Sequence, residues 1–377
     1  MIKWTGNPTG IPRTVYCLAR ALKQLHPDTC LVAIDDDLEA FHHLTEVDSG
    51  FTVTSKVSFR TGDVLFSAGA NWAFGCYNDR IRQMKEVGGH FFQLFYDIIP
   101  TLFPYYYEQG RGFGDYFGDW TAKTFALCDG AFAISECTKR DVAVWCGLSA
   151  AEAGRIQVIR LGEDFEGLNS AEKGEDRFKD ISRTLLSVGT LEIRKNQTCL
   201  LNTYRILAKR HPGRLPKLVL VGRKGWIDGN IEFQVQHDRE LSDLVQIITD
   251  ATDQELDGLY ERCLFTLFPA LYEGWGLPVA ESLKHGKPCI CSNTSSMLEI
   301  APKLTRLVSP YSVEEWVQQI EDLLFTEGFL MRESELIKRL YIPTKWTDTA
   351  STIGKSLLAK GYVIKPLNVG IGVQSMT

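Results

Sequence analysis

The chain has 377 residues, of which 44% are hydrophobic and 23% are charged, and its formal net charge at pH 7 is −6. The length allows two domains, and the acidic balance argues against nucleic acid as the main partner, because a phosphate backbone selects a basic surface. No apolar run approaches the roughly 20 residues of a membrane-spanning helix. The ten cysteines include no CxxC pair, a usage typical of reduced thiols in a cytosolic protein.

The first part of the chain alternates short apolar runs with amphipathic stretches. Because apolar strands that alternate with helices are covered on both faces, this pattern predicts parallel sheets. The predicted strands are 30–35, 63–69, 91–97, 130–135 and 156–162. Residues 6–22 have the pattern of a loop and helix that follow a first strand, yet only MIKWT precedes them. Either that strand is missing or the native start lies further upstream, and we favour the second interpretation.

The second part of the chain repeats the alternation after a polar, charged stretch without periodicity at 163–180. Its predicted strands are 184–190, 217–222, 245–250, 264–270 and 288–293. The pattern predicts a domain over 1–165, a linker over 166–180 and a second domain over 181–344.

Two further helices are predicted beyond these strands, over 313–325 and 345–361. Thr347 or Asp348 is expected to cap the last helix, and Gly361 is expected to end it.

The segment LYEGWGLPVAESLKHGKP at 271–288 carries the densest chemical signal. Pro278 predicts a helix start and Gly286 its end, with Glu281 in the first turn near the positive end of the helix dipole. Glu273 lies in the preceding loop, whose glycines let the backbone N–H groups of 274–277 point outward. Two interpretations fit this spacing. One is a helix with ordinary turn residues and an acidic residue that complements the dipole, and the other is a diphosphate site with two carboxylates for sugar hydroxyls.

A set of motifs in matching order resembles glycosyltransferase family 4, the retaining sugar-nucleotide-dependent enzymes of the GT-B fold. These motifs, which together cover about residues 6–350, are PTGIPRT (8–14), FYDIIP (95–100), AISECTKRD (133–141), SVGTLEIRKNQ (187–197), TDATDQELDGLYERC (249–263) and EGWGLPVAE followed by GKP. The resemblance implies two Rossmann-like parallel-sheet domains that face a central cleft. It also implies that the helix at about 345–361 crosses back to the N-terminal domain.

The resemblance also assigns roles to individual residues. Glu273 would lie beside the donor sugar and the reacting centre, while Glu281 would hold the ribose hydroxyls. Arg194 and Lys195 would neutralise the diphosphate, and Gly10 would let the N-terminal loop approach the phosphate closely. The remaining donor-binding group would be the backbone of Gly274, Trp275, Gly276 and Leu277.

Asp97 is the most ambiguous of the candidate catalytic residues. It ends a predicted strand, where open α/β sheets present ligand-binding groups. Many relatives have a histidine-containing motif here, whereas this chain has Tyr96 and Asp97. Asp97 could orient an acceptor hydroxyl or the donor sugar, and a plain helix cap explains it equally well.

The function implied by the resemblance is transfer of a hexose or deoxyhexose, with retention, from a nucleoside diphosphate sugar to a carbohydrate or glycolipid acceptor. The similarity is greatest to mannosyltransferases and rhamnosyltransferases of bacterial surface polysaccharide and O-antigen synthesis. It implies no cofactor and no metal, a cytoplasmic location, and a peripheral contact with the inner face of the membrane.

Two alternatives remain open: a GT-B sugar-nucleotide epimerase and a non-catalytic nucleotide-sugar-binding protein. The sequence GRGFGD at 110–115 does not indicate an NAD site, because it follows an aromatic stretch and not a strand.

Overall fold

The computed structural model describes residues 10–35, 40–47, 50–164, 176–225, 227 and 229–362. The chain divides into two compact units that each combine separate stretches of sequence. The first unit comprises Met1–Leu94, Lys123–Phe132 and Lys345–Thr377, and the second comprises Phe95–Ala122 and Ala133–Thr344. The domain boundaries given above, which follow the sequence pattern, stay a prediction.

The helices of the described residues are, in chain order, α1 (Ile11–Leu25), α2 (Tyr77–Glu86), α3 (Ile99–Leu102), α4 (Gly110–Leu127), α5 (Glu136–Trp145), α6 (Ala150–Ala153), α7 (Gln197–Arg210), α8 (Ile231–His237), α9 (Asp253–Arg262), α10 (Leu277–Lys284), α11 (Val313–Phe325), α12 (Phe329–Leu340) and α13 (Trp346–Ala359). Short 3-10 turns lie between some of them, and two of these turns, Ile193–Lys195 and Ser295–Glu299, matter for the site. Among the helices described, none combines the length and the apolar composition that a bilayer crossing requires.

The strands of the same residues are β1 (Val32–Asp35), β2 (Ala40–Val47), β3 (Gly50–Lys56), β4 (Val64–Ser67), β5 (His90–Phe95), β6 (Gly130–Ala133), β7 (Ile156–Val158), β8 (Leu185–Val188), β9 (Leu218–Val221), β10 (Val245–Ile248), β11 (Phe265–Phe268), β12 (Cys289–Ser292) and β13 (Arg306–Val308).

The first unit contains two kinds of sheet. Strands β4 and β5 are parallel, and β1, β2 and β3 form a separate antiparallel sheet. Helices α1 and α13 pack against each other, so the last helix lies in the same unit as the first. The core of this unit is apolar and largely aromatic, and its buried members are Ile34, Phe41, Val57, Leu65, Tyr77, Ile81, Met84, Phe91 and Cys128.

The second unit is built on a six-stranded sheet in the order β10-β9-β8-β11-β12-β13, and every pair in it is parallel. Strands β9, β11 and β12 are fully buried, as expected of a parallel sheet covered by helices on both faces. Leu185, Leu218, Phe265 and Ile290 of the sheet pack with Trp316 of α11 in one hydrophobic core. Parallel strands all end at the same edge, so the loops after β8, β11 and β12 are neighbours.

Each of the ten predicted strands coincides with an observed strand to within four residues at either end, and the helix predicted over 313–325 matches α11. Three predictions were wrong in part. Strand β1 belongs to an antiparallel sheet with β2 and β3, which the sequence pattern did not reveal. Helix α13 is preceded by Lys345, and Asp348 occupies its third position, where its carboxylate accepts the Lys345 N–H at 3.1 Å. Glu281 is the fifth residue of α10, beyond its first turn.

Candidate functional site

The candidate site lies in the second unit, at the carboxyl edge of its parallel sheet. Strands β8, β11 and β12 are adjacent there, and the chain continues from them into the 3-10 turn Ile193–Lys195, the loop 269–276 and the 3-10 turn Ser295–Glu299. Ligand-binding groups of open α/β sheets gather at this edge. The topology therefore brings three loops that are distant in sequence to one location.

Arg194 and Lys195 converge on the carboxylate of Glu273. The Nζ atom of Lys195 lies 2.5 Å from Glu273 Oε1, and Nη1 of Arg194 lies 2.8 Å from the same oxygen. The Arg194 guanidinium also contacts the carboxylate of Glu192 at 2.7 Å and donates to the Tyr272 carbonyl at 2.9 Å. Two cations and two carboxylates from separate strand ends thus form one largely buried cluster.

The electrostatics of this cluster favour ionised groups. Burial alone would raise the pKa of Glu273, but the positive charges of Arg194 and Lys195 outweigh it and hold that pKa below its usual range. Burial lowers the pKa of Arg194, yet Glu273 and Glu192 more than compensate and raise it. Glu273 is therefore an anion at neutral pH, and it occupies the position next to both cations where a phosphate oxygen would be attracted.

The loop before α10 presents backbone donors. Gly276 precedes the helix with φ 111° and ψ 54°, a left-handed conformation that favours glycine, and Pro278 lies at the second helical position. Within the part of the chain that the structure describes, the N–H groups of Gly274, Trp275, Gly276 and Leu277 donate to no protein atom. Four free donors at a helix N-terminus form an anion-binding arrangement.

Gly274 and Trp275 occupy tight surroundings within this loop. A Cβ at Gly274 would lie less than 3.0 Å from the Tyr96 carbonyl oxygen, so only glycine fits there. The Trp275 side chain is 5% exposed, and the Arg160 guanidinium lies 5.9 Å from its ring centroid. Its indole N–H is buried, and it has no hydrogen-bond partner among the residues described.

Asp97 lies at the border of the same cluster. Its carboxylate accepts the Ile99 N–H at 2.9 Å, an Asx-turn contact from the residue that precedes Ile98, the N-cap of α3. Burial raises the pKa of Asp97, and the positive charge of Arg194 opposes this rise. Tyr107, which the sequence did not single out, has its pKa raised by burial and by Asp97, so the phenol belongs to the same charged region. The contact ties Asp97 to the start of α3 without making it the N-cap, and a role toward substrate stays a prediction.

Glu281 is buried deeper in α10, where its carboxylate accepts the Tyr260 hydroxyl at 2.9 Å. A second buried carboxylate, Glu163, lies within electrostatic reach of Glu281 and accepts the Tyr341 hydroxyl at 2.7 Å. Burial raises the pKa of Glu163 to about 7. Because Glu163 follows β7 without any motif around it, its proximity to Glu281 could not be predicted from the sequence.

Gly10 is the one predicted site residue that belongs to the first unit. It precedes α1 with φ 60°, a conformation that suits glycine, and it is exposed. Residues 8 and 9 of the PTGIPRT motif lie outside the described residues, and the phosphate role of Gly10 stays a prediction.

The sequence also missed the groups that hold the cation pair in place. Glu192 binds Arg194, and Asn196 adopts a left-handed conformation and donates to the carbonyls of Pro269 and Pro310 at 3.1 and 2.9 Å. An acidic residue two positions before a basic pair was the available signal for Glu192. No group of His, Cys, Asp and Glu in the described residues has an arrangement that could hold a metal ion.

Comparison with known proteins finds a family model that matches part of the second unit. Residues 170–338 match the model of the family described as glycosyl transferases group 1. Over 260 residues, which are 68% of this chain, the sequence is 27% identical to the serotype-specific mannosyltransferase WbdA of Escherichia coli. Over 129 residues, or 34% of this chain, it is 32% identical to the O-antigen chain mannosyltransferase B of the same organism. These alignments span 32% and 33% of the two relatives, so the chain matches about a third of their length.

Among solved structures, the chain resembles HepE from Anabaena in complex with UDP and glucose. The TM-score is 0.57 at 14% identity, with 79% of this chain and 78% of HepE covered. The likeness confirms the predicted α/β fold with parallel sheets of the GT-B class. The predicted resemblance to sugar-nucleotide-dependent glycosyltransferases is confirmed as well.

Proposed function

We propose that the chain is a retaining glycosyltransferase of the glycosyl transferases group 1, a proposal that the match of residues 170–338 to the model of this family supports. It would transfer a hexose or deoxyhexose from a nucleoside diphosphate sugar to a carbohydrate or glycolipid acceptor. We propose mannose as the first sugar to test, because the relatives WbdA and O-antigen chain mannosyltransferase B are named for its transfer. Their names also support surface-polysaccharide or O-antigen synthesis as the process, with a cytoplasmic enzyme that contacts the membrane peripherally.

The observation that carries this proposal is the joint position of Arg194, Lys195 and the free N–H groups that follow Glu273. When the bond between the sugar and the diphosphate breaks, negative charge collects on the departing diphosphate. Fixed cations and backbone donors aimed at that charge stabilise the transition state more than the ground state. These groups would supply that stabilisation without a metal, as the resemblance implies.

Glu281 would orient the donor through its ribose hydroxyls, because carboxylate oxygens accept hydrogen bonds from hydroxyl donors, as Glu281 does from Tyr260. Glu273 would lie at the sugar end of the same donor. Burial of both groups would exclude water from the reacting centre and so limit hydrolysis of the donor.

The proposal is tested by incubating the protein with GDP-mannose, UDP-glucose, dTDP-rhamnose and UDP-galactose, each with and without a mannose-terminated oligosaccharide. We expect one donor to yield an extended oligosaccharide whose new linkage has the anomeric configuration of that donor. NMR of the product reads the linkage, and a Glu281→Ala variant is expected to need about tenfold more donor for the same rate.

The two alternatives have their own outcomes in this experiment. An epimerised sugar nucleotide formed without acceptor would support the epimerase. Binding of a donor with no product from any acceptor would support the non-catalytic binding protein. An inverted linkage would contradict retention.

A further inference from the structure

Side-chain hydroxyl groups hold the loop that precedes α10, because they donate hydrogen bonds to its backbone carbonyl oxygens. The hydroxyl of Ser296 lies 2.9 Å from the Glu273 carbonyl oxygen and 2.7 Å from that of Trp275, and its one proton is shared between these two acceptors. The intervening carbonyl, that of Gly274, accepts the Ser135 hydroxyl at 2.7 Å. Three successive carbonyl groups are therefore fixed from two sides, with Ser296 holding the first and third.

Fixing a carbonyl also fixes the N–H group of the following residue. A trans peptide unit is planar, and its C=O and N–H bonds point in opposite directions. The described part of the chain contains no cis peptide bond. Because Ser296 attracts the carbonyls of Glu273 and Trp275, the N–H groups of Gly274 and Gly276 must both point away from Ser296.

These two N–H groups are among the donors that have no acceptor within the described residues. Backbone N–H groups of neighbouring residues in a turn that point to one side form a concavity that binds an anion. The Ser296 side chain is 0% exposed, so no water competes for its proton, and the hydroxyl stays directed at the two carbonyls.

We propose that Ser296 is a positioning residue for the distal phosphate of the donor: by holding two carbonyls of the loop, it directs the N–H groups of Gly274 and Gly276 toward that phosphate. The inference rests on the proposed function, because it takes the bound anion to be a nucleoside diphosphate. Ser296 itself does not touch the ligand. Its effect should therefore be confined to the phosphate that the loop contacts.

The test compares nucleoside diphosphates with the corresponding monophosphates by titration calorimetry. GDP, UDP, dTDP and ADP are titrated first into the wild type, and the tightest ligand and its monophosphate are then used for the variants. We expect Ser296→Ala to weaken diphosphate binding about tenfold, as for the loss of two oriented donors, and to change monophosphate binding by less than about twofold. A residue that only stabilises the fold would weaken both ligands alike.

Ser292 provides a matched control for this substitution. It is also 0% exposed, and its hydroxyl has no hydrogen-bond partner in the described part of the chain. Ser292→Ala is expected to bind both ligands as the wild type does. Should Ser296→Ala not fold, Ser296→Cys serves in its place, because a thiol of similar size is a much weaker donor.

Equal losses for both ligands, or no loss for either, in the folded variant would overturn the role of Ser296. A wild type that binds none of the four diphosphates would instead overturn the proposed function, so the two failures are distinguishable.

Discussion

Glu273→Gln is expected to lower the rate of sugar transfer roughly a thousandfold, the scale seen when a group that stabilises a transition state is removed. The nucleoside diphosphate should nevertheless bind at least as tightly as it does to the wild type. The reason is that Glu273 neutralises Lys195 and Arg194 at 2.5 and 2.8 Å in the free protein. Without the negative charge, both cations are available to the diphosphate. Initial rates and calorimetric titrations measure the two effects.

The control for this variant is Glu255→Gln. Glu255 is another buried carboxylate that binds an arginine, Arg177, at 2.7 Å, but its other contacts are with Thr252 in the capping box of α9. Its replacement should lower thermal stability and leave transfer unchanged at temperatures where the variant is folded. Transfer by Glu273→Gln at more than about a tenth of the wild-type rate would contradict the assignment, because catalytic groups contribute far more than tenfold.

Gly274→Ala is expected to be among the most damaging changes of a single methyl group in the second unit. The new Cβ would meet the backbone carbonyl of Tyr96, and a backbone atom cannot move aside as a flexible side chain does. Overpacking of this kind costs typically about 1–3 kcal/mol and occasionally more. We expect a lowered melting temperature and at least about tenfold weaker diphosphate binding, because the displaced loop carries the N–H donors.

Gly112→Ala is the comparison for this variant. Gly112 lies inside α4, and a Cβ there meets nothing within 4 Å. Alanine at such a position favours the helix by up to about 1 kcal/mol, so Gly112→Ala should melt at the same temperature or higher. If Gly274→Ala and Gly112→Ala have the same melting temperature and the same affinity for the diphosphate, the close approach of the loop to Tyr96 does not constrain the site.

The sequence was informative wherever one physical signal dominated. Buried parallel strands such as β9 and β12 are continuous apolar runs, and α11 has a capping serine and an apolar stripe, so their positions followed directly. The antiparallel strands β2 and β3 were missed because they contain polar residues, including two histidines and three threonines. Such strands are defined by their pairing partner more than by their own composition.

The site was predictable as a set of residues but not as a set of contacts. Motif spacing drew attention to Arg194, Lys195 and Glu273, and the structure brings these three together. The contacts of Glu273 with both cations depend on which strands are adjacent, and so do those of Ser296 with the loop. Strand order in a parallel sheet is set by long-range packing, and one sequence on its own contains little information about that packing.

The most direct measurement of the central claim is the affinity of the wild type and of Lys195→Met for a nucleoside diphosphate and for its nucleoside. If the cations and the loop donors bind a diphosphate, the wild type should favour the diphosphate strongly. Loss of one charge-assisted contact should reduce that preference at least about tenfold in Lys195→Met, with nucleoside affinity unchanged. Equal affinity of the wild type for the two ligands, or an unchanged preference in the variant, would contradict the account.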